Sequence, residues 1–124
     1  MYLKYDGKAP FEKDEAKYVY VSIRTDLSLA QQGVQAVHAG MAAIHEFGGL
    51  TDDTRLAMLS VNSEKELEFW AERLETNGIN FKIFWEPDNN TGRSALVTAP
   101  ISRQEGKVLK KLIRWNPERD LMAA

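Results

Sequence analysis

The feature that most constrains the fold is a β-branched and aromatic run, Tyr18-Val19-Tyr20-Val21-Ser22-Ile23, followed almost at once by a capped helical pattern. Such residues suit a pleated surface, and a short, nearly continuous run suits a strand buried on both faces. Arg24-Thr25-Asp26-Leu27 then leads to Ser28, whose hydroxyl can accept from the unpaired amides of a first helical turn. The helix so begun runs to about Phe47 and stops at Gly48-Gly49. A strand alternating with a helix in this way calls for a parallel partner strand.

The remaining chain supplies that partner. Leu56-Ala57-Met58-Leu59-Ser60-Val61 reads as a second strand. Ser63-Glu64-Lys65-Glu66 is a capping box, in which hydroxyl and carboxylate satisfy helix-start amides. Leu67, Trp70, Ala71 and Leu74 follow at core-facing spacing, and Asn77-Gly78 ends the helix. Phe81–Trp85 and Ser94–Ala99 read as third and fourth strands, joined by a short loop and so paired as an antiparallel hairpin. Pro100 stops the sheet. Ser102-Arg103-Gln104-Glu105 is a second possible capping box, with Val108, Leu109, Leu112 and Ile113 predicting a last helix. The expected fold class is α/β: a mixed four-stranded sheet, β-α-β-α-β-β-α, with helices on both faces. Residues 1–17 read as an N-terminal arm, 18–115 as a single α/β domain and 116–124 as a frayed C-terminal tail.

The first helix divides into stripes. Ala30, Val34, Val37, Met41 and Ile44 form an apolar stripe, taken as its buried face. Gly33, Ala36, Gly40 and Ala43 form a small-residue stripe, where a backbone from the sheet or a second subunit can come close. Gln31, Gln35, His38 and His45 lie about a quarter-turn from the apolar stripe, at its rim.

Composition narrows the function classes. At 124 residues, with 44% hydrophobic and 27% charged residues, the chain fits one globular domain rather than a disordered segment. A net charge of −2 excludes nucleic-acid binding through overall positive charge but leaves a local basic patch open. The absence of cysteine excludes a disulfide scaffold, a thiolate metal site and a cysteine nucleophile. No stretch reaches the roughly 18 apolar residues of a membrane span, and Met1–Asp6 has no signal-peptide core. A soluble, cytoplasmic protein without a membrane partner is therefore expected. The glycine-rich phosphate motifs, the GxSxG elbow and HExxH are absent. His38 and His45 lie about 10 Å apart along one helix, too far to share one zinc ion, so no metal site is expected.

Three clusters carry candidate chemistry. Arg24, Thr25 and Asp26 follow the first strand, at the sheet end where α/β proteins bind ligands, with Gln35 and His38 on the next helix. The plainer reading makes His38 a rim histidine and Asp26 a helix cap. Glu86-Pro87-Asp88, with Thr91 and Arg93, follows the third strand. Its proline fixes the spacing of two carboxylates, either of which could act as a general base on water. The plainer reading is an ordinary hairpin loop. Arg103, Lys107, Lys110, Lys111 and Arg114 form a basic segment, either a solvated face or a phosphate-contacting patch.

Arg24-Thr25-Asp26-Leu27 followed by Gln35-Ala36-Val37-His38-Ala39 resembles the strand-to-helix signature of the type II (archaeal and eukaryotic) peptidyl-tRNA hydrolases. Val61–Leu67 looks like that family's second strand-to-helix junction. Ala95–Pro100 is similar to its last strand, and Glu86-Pro87-Asp88 to a loop of its shorter bacterial and phage relatives. The resemblance spans about residues 18–113. It implies a mixed four-stranded sheet, often in a homodimer, and hydrolysis of the ester joining a peptide to the 3′ end of tRNA, with no metal or organic cofactor. It further implies Asp88 or Glu86 as base, with His38, Gln35 and Thr91 positioning water or the ribose hydroxyl. Arg24, Asp26, Arg93, Lys107, Lys110 and Lys111 would form the substrate-binding set. The family's lysine-bearing turn is replaced here by Ser28–Gly33, which has no lysine. The alternative expectation is a non-catalytic member of this fold that binds RNA or a protein partner.

Overall fold

The structure, a computed structural model, describes residues 16–48, 50–51 and 53–123. All but the last two residues of the expected N-terminal arm lie outside that range.

The elements in order are β1 (Lys17–Arg24), α1 (Leu29–Phe47), β2 (Arg55–Val61), α2 (Glu64–Thr76), β3 (Phe81–Glu86), β4 (Gly92–Thr98), β5 (Ile101–Ser102) and α3 (Pro117–Ala123). Single 3-10 turns occupy Asp88–Asn90 and Glu105–Leu109. Both N-caps form as the sequence predicts. Ser28 accepts from the Gln31 amide at 3.2 Å. Ser63 accepts from the Glu66 amide at 3.1 Å, while the Glu66 carboxylate accepts from the Asn62 amide at 2.7 Å.

The sheet runs β2-β1-β4-β3, and the two-residue β5 adds to the start of β1, so the sheet has five strands where four were expected and resumes directly after Pro100, which was expected to stop it. β1 and β2 are parallel, with Tyr18 opposite Arg55 and Arg24 opposite Val61. β4 runs antiparallel to both β1 and β3, pairing Ser22 with Leu96 and Ile83 with Leu96 from its two sides. The parallel early pair and the antiparallel hairpin thus meet in one mixed α/β sheet.

Strand side chains alternate between faces, so each face acquires its own core. On one, Val19, Val21, Ile23, Ala95 and Val97 pack against Ala39 and Ala43 of α1. On the other, Leu59, Val61 and Leu96 pack against Leu67, Trp70, Ala71 and Leu74 of α2, with Leu109 at the end of the 3-10 segment and Leu112 just after it. Helices therefore cover both faces.

Three further expectations need correction. First, the apolar stripe of α1 is not its buried face. Leu29, Val34, Val37, Met41 and Ile44 are 45–65% exposed, and the buried positions are Gln32, Gln35, Ala39 and Ala43. The sheet beneath is paved with branched valine and isoleucine side chains, so a close-packed helix must present small residues to it. The two buried glutamines find hydrogen-bond partners inside and carry no desolvation penalty left open. Second, Ser102–Glu105 does form its box, with bonds of 3.0 and 3.1 Å, but it opens a 3-10 turn instead of an α-helix. The chain must swing back to the outer edge of β2, where Ser60 donates to Ile113 and Trp115 to Met58, each at 2.9 Å. Ile113, read as part of a last helix, is instead exposed. Third, part of the expected tail, Pro117–Ala123, is the helix α3.

Candidate functional site

The C-terminal end of β1, the rim of α1 and the loop after β3 converge at one end of the sheet. Arg24, the last residue of β1, is 8% exposed and points back into this junction. Its guanidinium donates to both Asp26 oxygens at 2.9 and 2.7 Å, and to the carbonyls of Thr91 and Arg93 at 2.6 and 2.8 Å. The Asp26 hydrogen bond raises the Arg24 pKa further above its usual value, against the opposing effect of burial. Four donor contacts occupy this planar fork, so Arg24 is a latch tying the loop after β1 to the loop before β4. Asp26 is its counter-ion and not a helix cap.

Gln35 forms the centre of the junction. It is fully buried, yet each end of its amide is satisfied. Nε2 donates to Glu86 Oε2 at 2.9 Å, and Oε1 accepts from the Ser94 hydroxyl at 2.6 Å. One turn along, the His38 ring stacks on Phe84 with centroids 4.6 Å apart and planes 13° apart. His38 also lines a shallow concavity of about 440 Å³ with Ala30, Gly33, Val34, Val37 and Met41. His38 is half-buried at the rim of α1, but Gln35, expected at the same rim, is fully buried on the face turned to the sheet, opposite the apolar stripe.

The acidic loop is built by backbone chemistry. Glu86 Oε1 accepts from the Asp88 amide at 3.1 Å, which folds the chain sharply over Pro87. The Asp88 carbonyl accepts from the Thr91 amide and hydroxyl at 3.0 and 2.8 Å. Asn89 and Asn90 adopt φ of 55° and 56°, the left-handed region that asparagine tolerates better than most residues. Gly92 follows at φ 73°, and a Cβ there would overlap the Glu64 carboxylate. The hydrogen bond from Gln35, and next the Asp88 amide, hold the Glu86 carboxyl below the usual carboxylate range. Asp88 itself is exposed beside it.

Arg93 is half-exposed. It pairs with Glu68 at 2.8 Å and lies over the Trp85 ring at 5.6 Å, while its amide donates to Glu64 at 2.6 Å. Asp26, Glu64, Glu68, Glu86 and Asp88 make the surroundings predominantly acidic, with Arg24 and Arg93 already paired within them.

The structure therefore brings together Arg24, Asp26, Gln35, His38, Glu86, Asp88 and Thr91, with the Arg93 carbonyl, while the Arg93 side chain reaches toward Glu68 of α2. It does not bring Lys107, Lys110 and Lys111 to them. Those lysines line a separate concavity of about 410 Å³ on the α2 side, with Trp70, Arg73 and Gln104. Sequence reasoning missed Ser94, Phe84, Glu64 and Gln32. Gln32 donates to the Leu27 carbonyl and accepts from the Trp115 indole, each at 2.8 Å, tying the loop to the C-terminal segment. A polar pair, Gln32 and Gln35, on the face opposite an apolar stripe was the one available signal. Among the described residues, no group of three or more His, Asp or Glu side chains is arranged to hold a metal ion.

No family model matches the chain. No curated protein matches it either. Among solved structures it is similar to a protein of unknown function from Agrobacterium tumefaciens strain C58, with a TM-score of 0.64 at 12% identity. The match covers 81% of this chain and 98% of that one. At that identity the likeness concerns the fold alone. No helix among the described residues is long and apolar enough to cross a membrane.

Proposed function

We propose that the chain is a hydrolase of the type II peptidyl-tRNA hydrolase kind, cleaving the ester between a peptide and the 3′ end of tRNA. The observation that carries this reading is the Gln35–Glu86 hydrogen bond of 2.9 Å, which sets the rim of α1 against the acidic loop. Both Glu86 oxygens are engaged, and a carboxylate held below its usual range is a weak base. Glu86 is accordingly the positioning group, and the exposed Asp88 carboxylate is the base that takes a proton from the attacking water. His38, held flat against Phe84, orients the water or ribose hydroxyl, with Thr91 at the turn beside it. Arg93 is the nearest half-exposed cation for charge developing on the carbonyl oxygen, provided substrate displaces its pairing with Glu68. Lys107, Lys110 and Lys111, with Arg73, supply phosphate contacts away from the reacting ester.

The test is release of labelled peptide from an N-blocked aminoacyl-tRNA. Turnover by the purified protein, abolished in Asp88→Asn and reduced by at least about tenfold in His38→Ala, is the expected result. No turnover above buffer overturns the hydrolase reading.

One observation favours the alternative of a non-catalytic RNA-binding member. The turn Ser28–Gly33 has no lysine and Arg24 is consumed as a latch, which leaves the site poor in cations. A tRNA complex that weakens with salt, in a preparation without turnover, supports that alternative.

A further inference from the structure

We propose that the cleft in which Arg55, Arg103 and Arg114 surround Tyr18, Tyr20 and Ala57 binds a free nucleoside phosphate, its base on the tyrosine rings and its phosphates on the arginines. The inference does not rest on the hydrolase reading. Tyr18 stands near the start of β1 and Arg24 at its end, about 20 Å further along the strand, so the cleft lies at the opposite end of β1 from the acidic junction.

Strand register builds the cleft. Tyr18 lies opposite Arg55 and Tyr20 opposite Ala57 on the parallel pair, so these four side chains share one face of the sheet. On the inner side, Tyr18 pairs with Ile101 of β5, and Arg103 follows two residues later. On the outer side, Leu59 bridges to Arg114, which sets Arg114 on that same face beyond β2. The arginines therefore approach from three segments of chain, and the small Ala57 leaves room between them. The two tyrosine rings stand 5.9 Å apart and are tilted by 55°. A Cβ at Gly106 would overlap the Tyr20 hydroxyl, so the 3-10 turn rests on the tip of that ring and fixes it in place. No residue of α2 lines the cleft, which leaves this part of the sheet face open.

The chemistry of the lining selects the ligand. The cleft holds about 860 Å³, within the roughly 300–1,000 Å³ of small-molecule sites. Among the described residues it is lined by three arginines and by no Asp or Glu, in a chain whose net charge is −2. Among those residues, too, Arg24, Arg93 and Arg119 each pair with a carboxylate, whereas Arg55, Arg103 and Arg114 do not. A guanidinium fork meets phosphate oxygens two at a time, and cations gathered around a concavity attract a multiply charged anion. An anion without a ring leaves the tyrosine faces unused, while a nucleobase stacks on them. Burial and then Tyr18 raise the Tyr20 pKa, against the pull of Arg103, so the hydroxyl stays protonated at neutral pH and adds no negative charge facing the phosphates.

Isothermal titration of the full chain with ADP, pyrophosphate and a short oligoadenylate tests this. ADP is expected to bind with a dissociation constant below about 1 mM. Pyrophosphate, which has the charge without the base, is expected to bind about tenfold more weakly, the share that stacking supplies. Arg103→Gln combined with Arg114→Gln is expected to weaken both ligands by about tenfold or more. Both arginines are exposed, so the double variant keeps the wild-type circular dichroism spectrum. Ala57→Leu fills the floor of the cleft without touching its charge; it is expected to weaken ADP by about tenfold and to leave pyrophosphate unchanged. Absence of ADP binding at millimolar concentration overturns the proposal, as does ADP affinity that survives the double arginine variant. Equal affinity for ADP and pyrophosphate overturns the stacking role of the tyrosines. Binding of the oligoadenylate without binding of ADP overturns the free nucleotide as occupant in favour of a nucleic-acid strand.

Discussion

Replacing Gln35 with leucine removes the polar centre of the junction while nearly keeping its volume. In the wild type the amide gives one hydrogen bond to Glu86 at 2.9 Å and receives one from Ser94 at 2.6 Å. Ser94 retains a longer bond to the Phe84 carbonyl at 3.2 Å, and Glu86 retains the Asp88 amide. No group is wholly orphaned, so the cost is that of lost bonds and imperfect packing, about 2–3 kcal/mol. For a chain of this size that corresponds to a melting temperature lower by roughly 8–12 °C. The bond from Gln35 is also the largest cause of the low Glu86 pKa, so the Glu86 carboxyl should titrate closer to its ordinary range in the variant. The sign of the pH effect follows. A depressed carboxyl pKa contributes stability above the unfolded-state pKa and loses it as pH falls through the folded one. The stability difference between wild type and Gln35→Leu should therefore be largest at neutral pH and shrink on acidification. Urea unfolding across pH gives the first quantity, and carboxyl-carbon NMR titration gives the second. A loss below about 0.5 kcal/mol, the range of an inconsequential surface change, would refute the central role given to Gln35. So would an unmoved Glu86 titration.

Other perturbations probe the surrounding supports. Arg24→Ala deprives the Thr91 and Arg93 carbonyls of their donor and leaves Asp26 unpaired; urea unfolding should record a loss of about 2–4 kcal/mol. Gly92→Ala forces an L side chain into a left-handed conformation and against Glu64. A loss of about 2 kcal/mol is expected in thermal unfolding, and a neutral result would refute the close approach. Lys82→Ala breaks the exposed pair with Glu46 and should leave the melting temperature nearly unchanged, with any small difference vanishing in high salt. Ser102→Ala keeps the backbone amide that donates to Glu105, the largest cause of its low pKa, and removes only the hydroxyl; the Glu105 titration should therefore move upward only in part, in carboxyl-carbon NMR.

Much of the fold was legible because its signals are local. Caps at Ser28 and Ser63, the stop at Gly48 and the strand runs 18–23 and 56–61 depend on neighbours within one helical turn or one strand, and each formed as read. The order of strands and helices then implied one parallel pair and one hairpin through the shortness of the connections. The sequence also singled out residues that the fold brings close: Gln35 bonds to Glu86 at 2.9 Å, and His38 stacks on Phe84 one helical turn along.

Tertiary structure decided what periodicity cannot. A helical moment gives the direction of an apolar stripe but not whether the sheet or another molecule covers it. The branched floor of Val19, Val21 and Ile23 admitted only alanines and bonded glutamines, which turned Val34, Val37, Met41 and Ile44 outward. The capping box at Ser102 satisfied its local bonds, yet the pull of the free β2 edge on residues 113–115 ended the turn as a short 3-10 segment. Arg24, read as an open cation, became a latch because carbonyls sixty-seven and sixty-nine residues away lay within reach of its guanidinium. Local chemistry set the elements of this chain; competition among distant partners for the same polar atoms and the same face of the sheet determined how each was used.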